Sequence, residues 1–270
     1  MWWRWFSDFF PVKLVRSTPL SPEKKYIFGY HPHGIIGVGA ICSFATEAVG
    51  FSALFPGLDV FLLTLPVNFR VPIIRQIWLC MGLCDSSKTT FKNLLSRGSG
   101  STVVCVIGGA AEALQASPGT LELHLNRRKG FVRQGLIHGT SLVPVIGFGE
   151  NDIWDVYQSG ALEPVQSRLQ KLFGFSMPIF FGRGVFTYGF GFLPHRRPIN
   201  VVVGSAIDLP TIDPRVYKEE ACLEDWLCKS EEGRKIVDEH HAKYAEGLMK
   251  LYDEYKDVYH KERTSEMVLV

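Results

Sequence analysis

The alternation of apolar and polar runs along the chain predicts a series of strands and helices. From Lys25 the sequence reads KYIFGYHPHG, an aromatic and branched run of strand type that ends in two histidines around a proline. Pro32 fixes its own φ and favours an extended His31. The small-residue run IIGVGAICSFATEAVG after it reads as a helix, so both histidines fall where a strand hands over to a helix. VFLLTLPV reads as a buried strand or a re-entrant loop, and VPIIRQIWLCMG as a helix. LCDSS is a short strand and turn, with Ser86 or Ser87 placed to cap the helix KTTFKNLLS. TVVCVIGG and SLVPVIGFGEN are continuous branched runs, as in strands buried on both faces of a parallel sheet. The first leads into GGAAEA and the second ends at Glu150. Between them, KGFVRQGLIHG is predicted helical and closed by Gly139. FGRGVFTYGFGF reads as a loop or hairpin, and INVVVGSAI as a further strand. A charged helix is expected from about Glu231 to Lys261, with Leu248, Leu251, Tyr255, Val258 and Tyr259 spaced to make core contacts. No internal repeat or low-complexity linker breaks this order, which predicts a single α/β domain.

Composition narrows the function classes. A net charge of +2, with no basic stripe interleaved with aromatics, argues against a nucleic-acid partner. The chain is 46% apolar, yet it lacks the uninterrupted apolar run of about 18 residues that a spanning helix needs. The N-terminal MWWRWFSDFFPVKLVR sets Trp2, Trp3, Trp5, Phe6, Phe9 and Phe10 beside Arg4, Lys13 and Arg16. Rings and cations together suit the headgroup layer of a bilayer, so residues 1–20 are expected to be a membrane-interface segment and 21–270 the catalytic domain. An aromatic plug packed back on the domain is the alternative. The six cysteines show no C-x-x-C pair and are expected to be buried reduced thiols, and no metal site is expected.

Candidate chemistry centres on H-P-H-G. Beside the positive end of a helix, the His33 imidazole would stay neutral and able to accept a proton. Glu112 follows a very apolar strand, where a carboxylate is costly to bury unless paired or used, and is the expected partner that orients the ring. Lys88, Arg127, Arg128, Lys129 and Arg133 recur at strand ends and are read either as a phosphate-binding set or as a solvated face. The chain carries no G-x-S-x-G, no G-x-x-x-x-G-K-S/T and no H-E-x-x-H. A histidine base without a protein nucleophile points to direct deprotonation of a substrate hydroxyl, as in group transfer to an alcohol.

YIFGYHPHGI, GGAAEAL, RRKGFVRQGLIHGTSLVPVIGFGEN, FGRGVF and INVVVGSAI together resemble the type-2 diacylglycerol acyltransferase family, which includes monoacylglycerol and wax-alcohol acyltransferases. The resemblance implies a single glycerolipid-acyltransferase-like α/β domain, with a mostly parallel sheet flanked by helices. It implies transfer of a fatty acyl group from acyl-CoA, a co-substrate rather than a cofactor, to diacylglycerol, forming triacylglycerol. Monoacylglycerol or a fatty alcohol is the alternative acceptor, and an inactive lipid-droplet binding protein the non-enzyme alternative. His33 falls on the family's base, with His31 beside it and Glu112 on its G-G-A-A-E acid. Gly34, Gly108 and Gly109 frame the substrate, and backbone amides from Gly108 to Ala111 would hold the oxyanion. Lys88, Arg128, Lys129 and Arg133 would meet the coenzyme A phosphates. Wider glycerolipid acyltransferases carry an aspartate five residues after the histidine, where Val38 stands here. The cytosolic face of the endoplasmic reticulum membrane and the lipid droplet are the expected locations, and a homo-oligomer is left open. Family members usually begin with a hydrophobic membrane hairpin, and this chain starts after its place, as a naturally short or a truncated form would.

Overall fold

A computed structural model describes residues 2–156, 180–185, 191–212 and 220–270. The aromatic N-terminus forms α1 (Trp2–Phe9) and runs into β1 (Lys13–Arg16). The H-P-H-G run follows β2 (Tyr26–His31), in which all six residues are buried. The small-residue segment after it is helical only over α2 (Val38–Ala40) and the π-turn Ile41–Ala45, shorter than its pattern predicts. After α3 (Phe51–Leu54), VFLLT is strand β3 (Asp59–Thr64), so the buried-strand reading holds and the re-entrant one does not. Helix α4 (Pro72–Cys80) and β4 (Cys84–Asp85) follow. Ser87 Oγ then caps α5 (Lys88–Leu95) by accepting the Thr90 N–H.

The remaining core elements are β5 (Ser101–Val106), α6 (Ala110–Gln115), β6 (Glu122–Leu123), α7 (Gly130–His138) and β7 (Ser141–Phe148). Gly139 closes α7 in the left-handed conformation, as its position predicts. Short strands β8 (Asp155–Val156) and β9 (Phe180–Phe181) pair with each other. Then come β10 (Asn200–Val203), α8 (Glu220–Lys229), the long α9 (Glu231–Tyr259) and β11 (Val268–Leu269). The Gly-rich segment bridges back on itself at Gly182–Gly191 and Arg183–Leu193, and its middle lies outside the described residues.

The main sheet has seven strands in the order β1-β10-β7-β2-β5-β3-β4. From β7 to β4 all neighbours are parallel. β10 is antiparallel to β7, and β1 is parallel to β10, so the β1 edge runs against the rest. Lys13 therefore pairs with Asn200, and Asn200 with Phe148, which puts α1 at the carboxyl end of the parallel strands. The expected domain boundary near residue 20 falls after this edge strand, so residues 13–16 belong to the domain's own sheet.

Alternate residues of each strand enter two cores, one on each face. Ile27, Leu63, Val103 and Leu142 pack under α5, α7, α8 and α9, against Tyr244, Leu248 and Leu251. Phe28, Tyr30, Leu62, Val104 and Val143 face Phe10, Phe44, Phe51 and Phe55. Burying one such aromatic side chain contributes about 1.5–3 kcal/mol. Of the five residues expected in the α9 stripe, Val258 departs, facing solvent. The cysteines depart as well: Cys42 is buried, but Cys80 and Cys222 are exposed and the other three half-buried.

Candidate active site

The two histidines of H-P-H-G face different surroundings. His31 is the last residue of β2 and fully buried, its Nε2 3.1 Å from the Tyr244 hydroxyl of α9. Burial alone pushes its pKa down to about 3. His33, two residues on, is half-buried beyond the strand end. Its Nδ1 lies 2.9 Å from the carbonyl oxygen of Gly34. A carbonyl only accepts, so Nδ1 carries the hydrogen and Nε2 presents a lone pair. Burial lowers the His33 pKa, and the bond to Gly34 raises it in part. The ring is neutral at pH 7 for that reason, rather than through the helix end expected from the sequence, since α2 begins only at Val38.

Glu112 lies in the first turn of α6, buried to 3% exposure. Its Oε2 accepts the backbone N–H of His33 at 2.8 Å, and its Oε1 that of His124 at 2.9 Å. It holds the histidine loop and the segment after β6 together through their backbones; the imidazole is oriented by the Gly34 carbonyl and not, as expected, by Glu112. Burial pushes the Glu112 pKa up to about 7, opposed by the two backbone bonds and the Arg128 charge. Gly108 makes this packing possible, because a Cβ there would stand 1.7 Å from the Glu112 carboxyl carbon.

A second buried carboxylate supports the loop from below, and sequence reasoning missed it. Glu150, directly after β7, is 1% exposed. Its Oε2 accepts the Tyr30 hydroxyl at 2.6 Å and the Gly39 N–H at 2.9 Å. Gly34, at φ +58°, lies against it: a Cβ would come within 2.7 Å of Glu150 Cγ. Burial pushes this carboxyl to about 7 as well, against the bonds from Tyr30 and Gly39. The signal was present in SLVPVIGFGEN, an acidic residue closing an apolar strand just as Glu112 follows TVVCVIGG. His124 left no such signal.

The basic residues are not gathered at the site. Arg128 donates to the Gly108 carbonyl at 3.2 Å, beside Glu112. Lys88 instead pairs with Glu224 of α8 at 2.6 Å, Arg133 donates to Cys228 Sγ at 2.7 Å, and Lys129 pairs with Asp238 of α9 at 2.6 Å. Gly109, at φ +64°, leads into α6. Among the described residues, no group of three or more His, Cys, Asp or Glu side chains is placed to hold a metal ion. The arrangement supplies one neutral imidazole with a free Nε2 at the carboxyl end of a parallel sheet, its ring set by the Gly34 carbonyl and its backbone loop braced by two buried carboxylates. That is an arrangement for taking a proton from a hydroxyl.

The sequence model described as diacylglycerol acyltransferase matches residues 1–270. Diacylglycerol O-acyltransferase 2A of Umbelopsis ramanniana is 43% identical over 273 residues, covering 100% of this chain and 73% of the relative. Diacylglycerol O-acyltransferase 2 of Dictyostelium discoideum is 40% identical, over 94% of this chain and 73% of its own. The human diacylglycerol O-acyltransferase 2 is 40% identical over 94% of this chain, which spans 62% of the human protein. A match along the whole chain at this identity leaves one conclusion: the chain belongs to the diacylglycerol acyltransferase family.

Proposed function

We propose that the chain esterifies diacylglycerol with a fatty acyl group from acyl-CoA, with His33 as the general base. The observation that carries this reading is the fixed tautomer of His33, Nδ1 on the Gly34 carbonyl and Nε2 free. Nε2 takes the proton from the free hydroxyl of the acceptor as its oxygen attacks the thioester carbonyl. The carbonyl oxygen becomes an oxyanion, for which the backbone N–H groups of the turn Gly108–Ala111, beside Glu112, are the assigned donors. Collapse breaks the C–S bond, and the imidazolium returns its proton to the coenzyme A thiolate. The ester and free coenzyme A leave, and no acyl-enzyme forms. Glu112 acts by holding the His33 backbone, and His31 by anchoring the end of β2 on Tyr244. Arg128 is the residue assigned to the coenzyme A phosphates, because its guanidinium sits at the Gly108 turn.

Family membership supports diacylglycerol as acceptor. Because that acceptor dissolves in lipid, the site of action is a membrane or droplet surface, and we assign the cytosolic face of the endoplasmic reticulum and the lipid droplet. Incubation with labelled acyl-CoA and a panel of diacylglycerol, monoacylglycerol and fatty alcohol tests the reading. Label in triacylglycerol is expected. Label in wax ester or diacylglycerol alone would move the acceptor, and no labelled ester from any acceptor would overturn the activity.

A further inference from the structure

Two helices expose apolar side chains in a way the reaction does not use. Helix α4 places Ile73, Ile74, Ile77 and Leu79 in solvent, with Ile73 78% exposed, and its half-buried Trp78 packs on the core. In the VFLLTLPV stretch just before it, Leu62 and Leu63 are in the sheet core, so the exposed apolar surface lies one element later. Helix α1 exposes Trp2, Trp3 and Trp5, with Trp2 79% exposed, while its Phe6 and Phe9 pack on the same core cluster as Trp78. Both helices therefore lie on one face of the sheet.

They also share an end of it. α4 follows the carboxyl end of β3 and returns at Cys84, which pairs with Leu63. α1 sits at the carboxyl end of β7 through the register of β1 and β10. His33 leaves the carboxyl end of β2, between those edges. The charges around both helices are mostly basic. Between Asp59 and Asp85 the only charged residues are Arg70 and Arg75. Around α1, Arg4 lies on the helix, the Arg183 guanidinium sits 5.4 Å over the Phe9 ring and Arg196 donates to the Phe9 carbonyl, with Asp8 the one acidic residue of the helix.

We propose that α1 and α4 form one docking surface for an anionic phospholipid bilayer, which holds the carboxyl end of the sheet, and His33 with it, against the lipid. The inference rests on the acyl-transfer reading for its purpose, since a lipid-dissolved hydroxyl must reach Nε2. Ile and Trp side chains enter the interface while arginines meet anionic headgroups. No helix among the described residues is long and apolar enough to cross a membrane.

Flotation of the full chain with phosphatidylcholine vesicles, with and without phosphatidylserine, tests this. Ile73→Ser with Ile77→Ser and Leu79→Ser is expected to weaken vesicle binding roughly tenfold, as is Trp2→Ser with Trp5→Ser, and the combined set further. Arg70→Gln and Arg75→Gln are each expected to remove roughly fivefold of the preference for phosphatidylserine. Acyl transfer to a short-chain acceptor in detergent micelles should stay at the unsubstituted level in every variant, which shows the fold intact. Vesicle binding unchanged by the α4 set overturns the proposal. So does a shift from dimer to monomer in sedimentation with vesicle binding unchanged, which would make α4 a contact between two copies. A chain that binds vesicles through both helices but transfers no acyl group supports the docking surface and counts against the acyl-transfer reading alone.

Discussion

Glu112 grips His33 by its backbone: the carboxylate accepts the His33 N–H at 2.8 Å, while the imidazole bonds to the carbonyl of Gly34. Placement of the loop and orientation of the ring are thus separate tasks. Glu112→Gln should expose the difference. An amide oxygen can accept one of the two N–H groups, but the NH2 then faces the other donor. The expected result is a lower kcat with a lower Tm, and an acid limb of the pH–rate profile that does not move. A displaced limb would make Glu112 an electrostatic partner of the ring.

His33→Ala should lower kcat roughly 10²-fold or more, the usual weight of a general base. A half-buried side chain beyond a strand end contributes little to the core, so Tm should hold. Steady-state kinetics beside thermal melts check both. Near-normal turnover would remove His33 from the base role.

Burial keeps the His33 pKa below 6.5, so the neutral, proton-accepting form persists as pH falls past the usual histidine range. The acid limb of kcat/KM should therefore lie below about 6.5. Stability follows an opposite sign at Glu150. Its carboxyl ionises near 4.5 when unfolded and at about 7 when folded. The unfolded chain then loses its proton first, and stability falls as pH rises from about 4.5 to 7, then levels. Glu112 carries the same sign over this window and the lowered His31 the opposite one, so the Glu150 share is read as the difference between wild-type and Glu150→Gln melts. The stability of the wild type relative to the variant should fall from pH 4.5 to 7.

Tyr30→Phe removes a 2.6 Å hydrogen bond to Glu150 with little change of volume. A bond to a buried carboxylate contributes about 1.5–3 kcal/mol, so a matching loss in denaturant unfolding is expected. Turnover should fall with acyl-CoA KM little changed, because the Gly34 end of the loop loosens. A rise in KM alone would place Tyr30 in substrate binding.

Arg128→Ala should raise acyl-CoA KM more than it lowers kcat, since phosphate contacts hold ground and transition states about equally. Lys88→Ala and Arg133→Ala, whose partners are Glu224 and Cys228, should leave KM unchanged. Kinetics of the three variants side by side decide it. Equal increases in all three would restore the phosphate cluster expected from the sequence.

Periodicity exposed the strands because runs such as TVVCVIGG and SLVPVIGF sit between neighbours on both sides of the sheet, and burial leaves no polar positions. His33 was legible through its crowded company of proline and glycine. The role of Glu112 was legible only in part, since a sequence shows that a carboxylate must be satisfied but not by which N–H. Glu150 escaped although the same reasoning applied to it. The pairing of Lys88 with Glu224 was not legible, because it depends on where a helix more than a hundred residues later comes to rest.

The tail strand β11 gives this enzyme an unexpected point of failure. Val268–Leu269 runs parallel to Glu122–Leu123, the Val270 N–H donates to Leu123, and the Val270 carbonyl accepts from the Asn126 N–H. That strapped segment delivers the His124 N–H to Glu112. A nick or a stop that removed Val268 to Val270 would leave His33, the proposed base, in place and slacken the loop that carries it. Such a lesion would read in an assay as a mutation at His33, some 230 positions away in sequence.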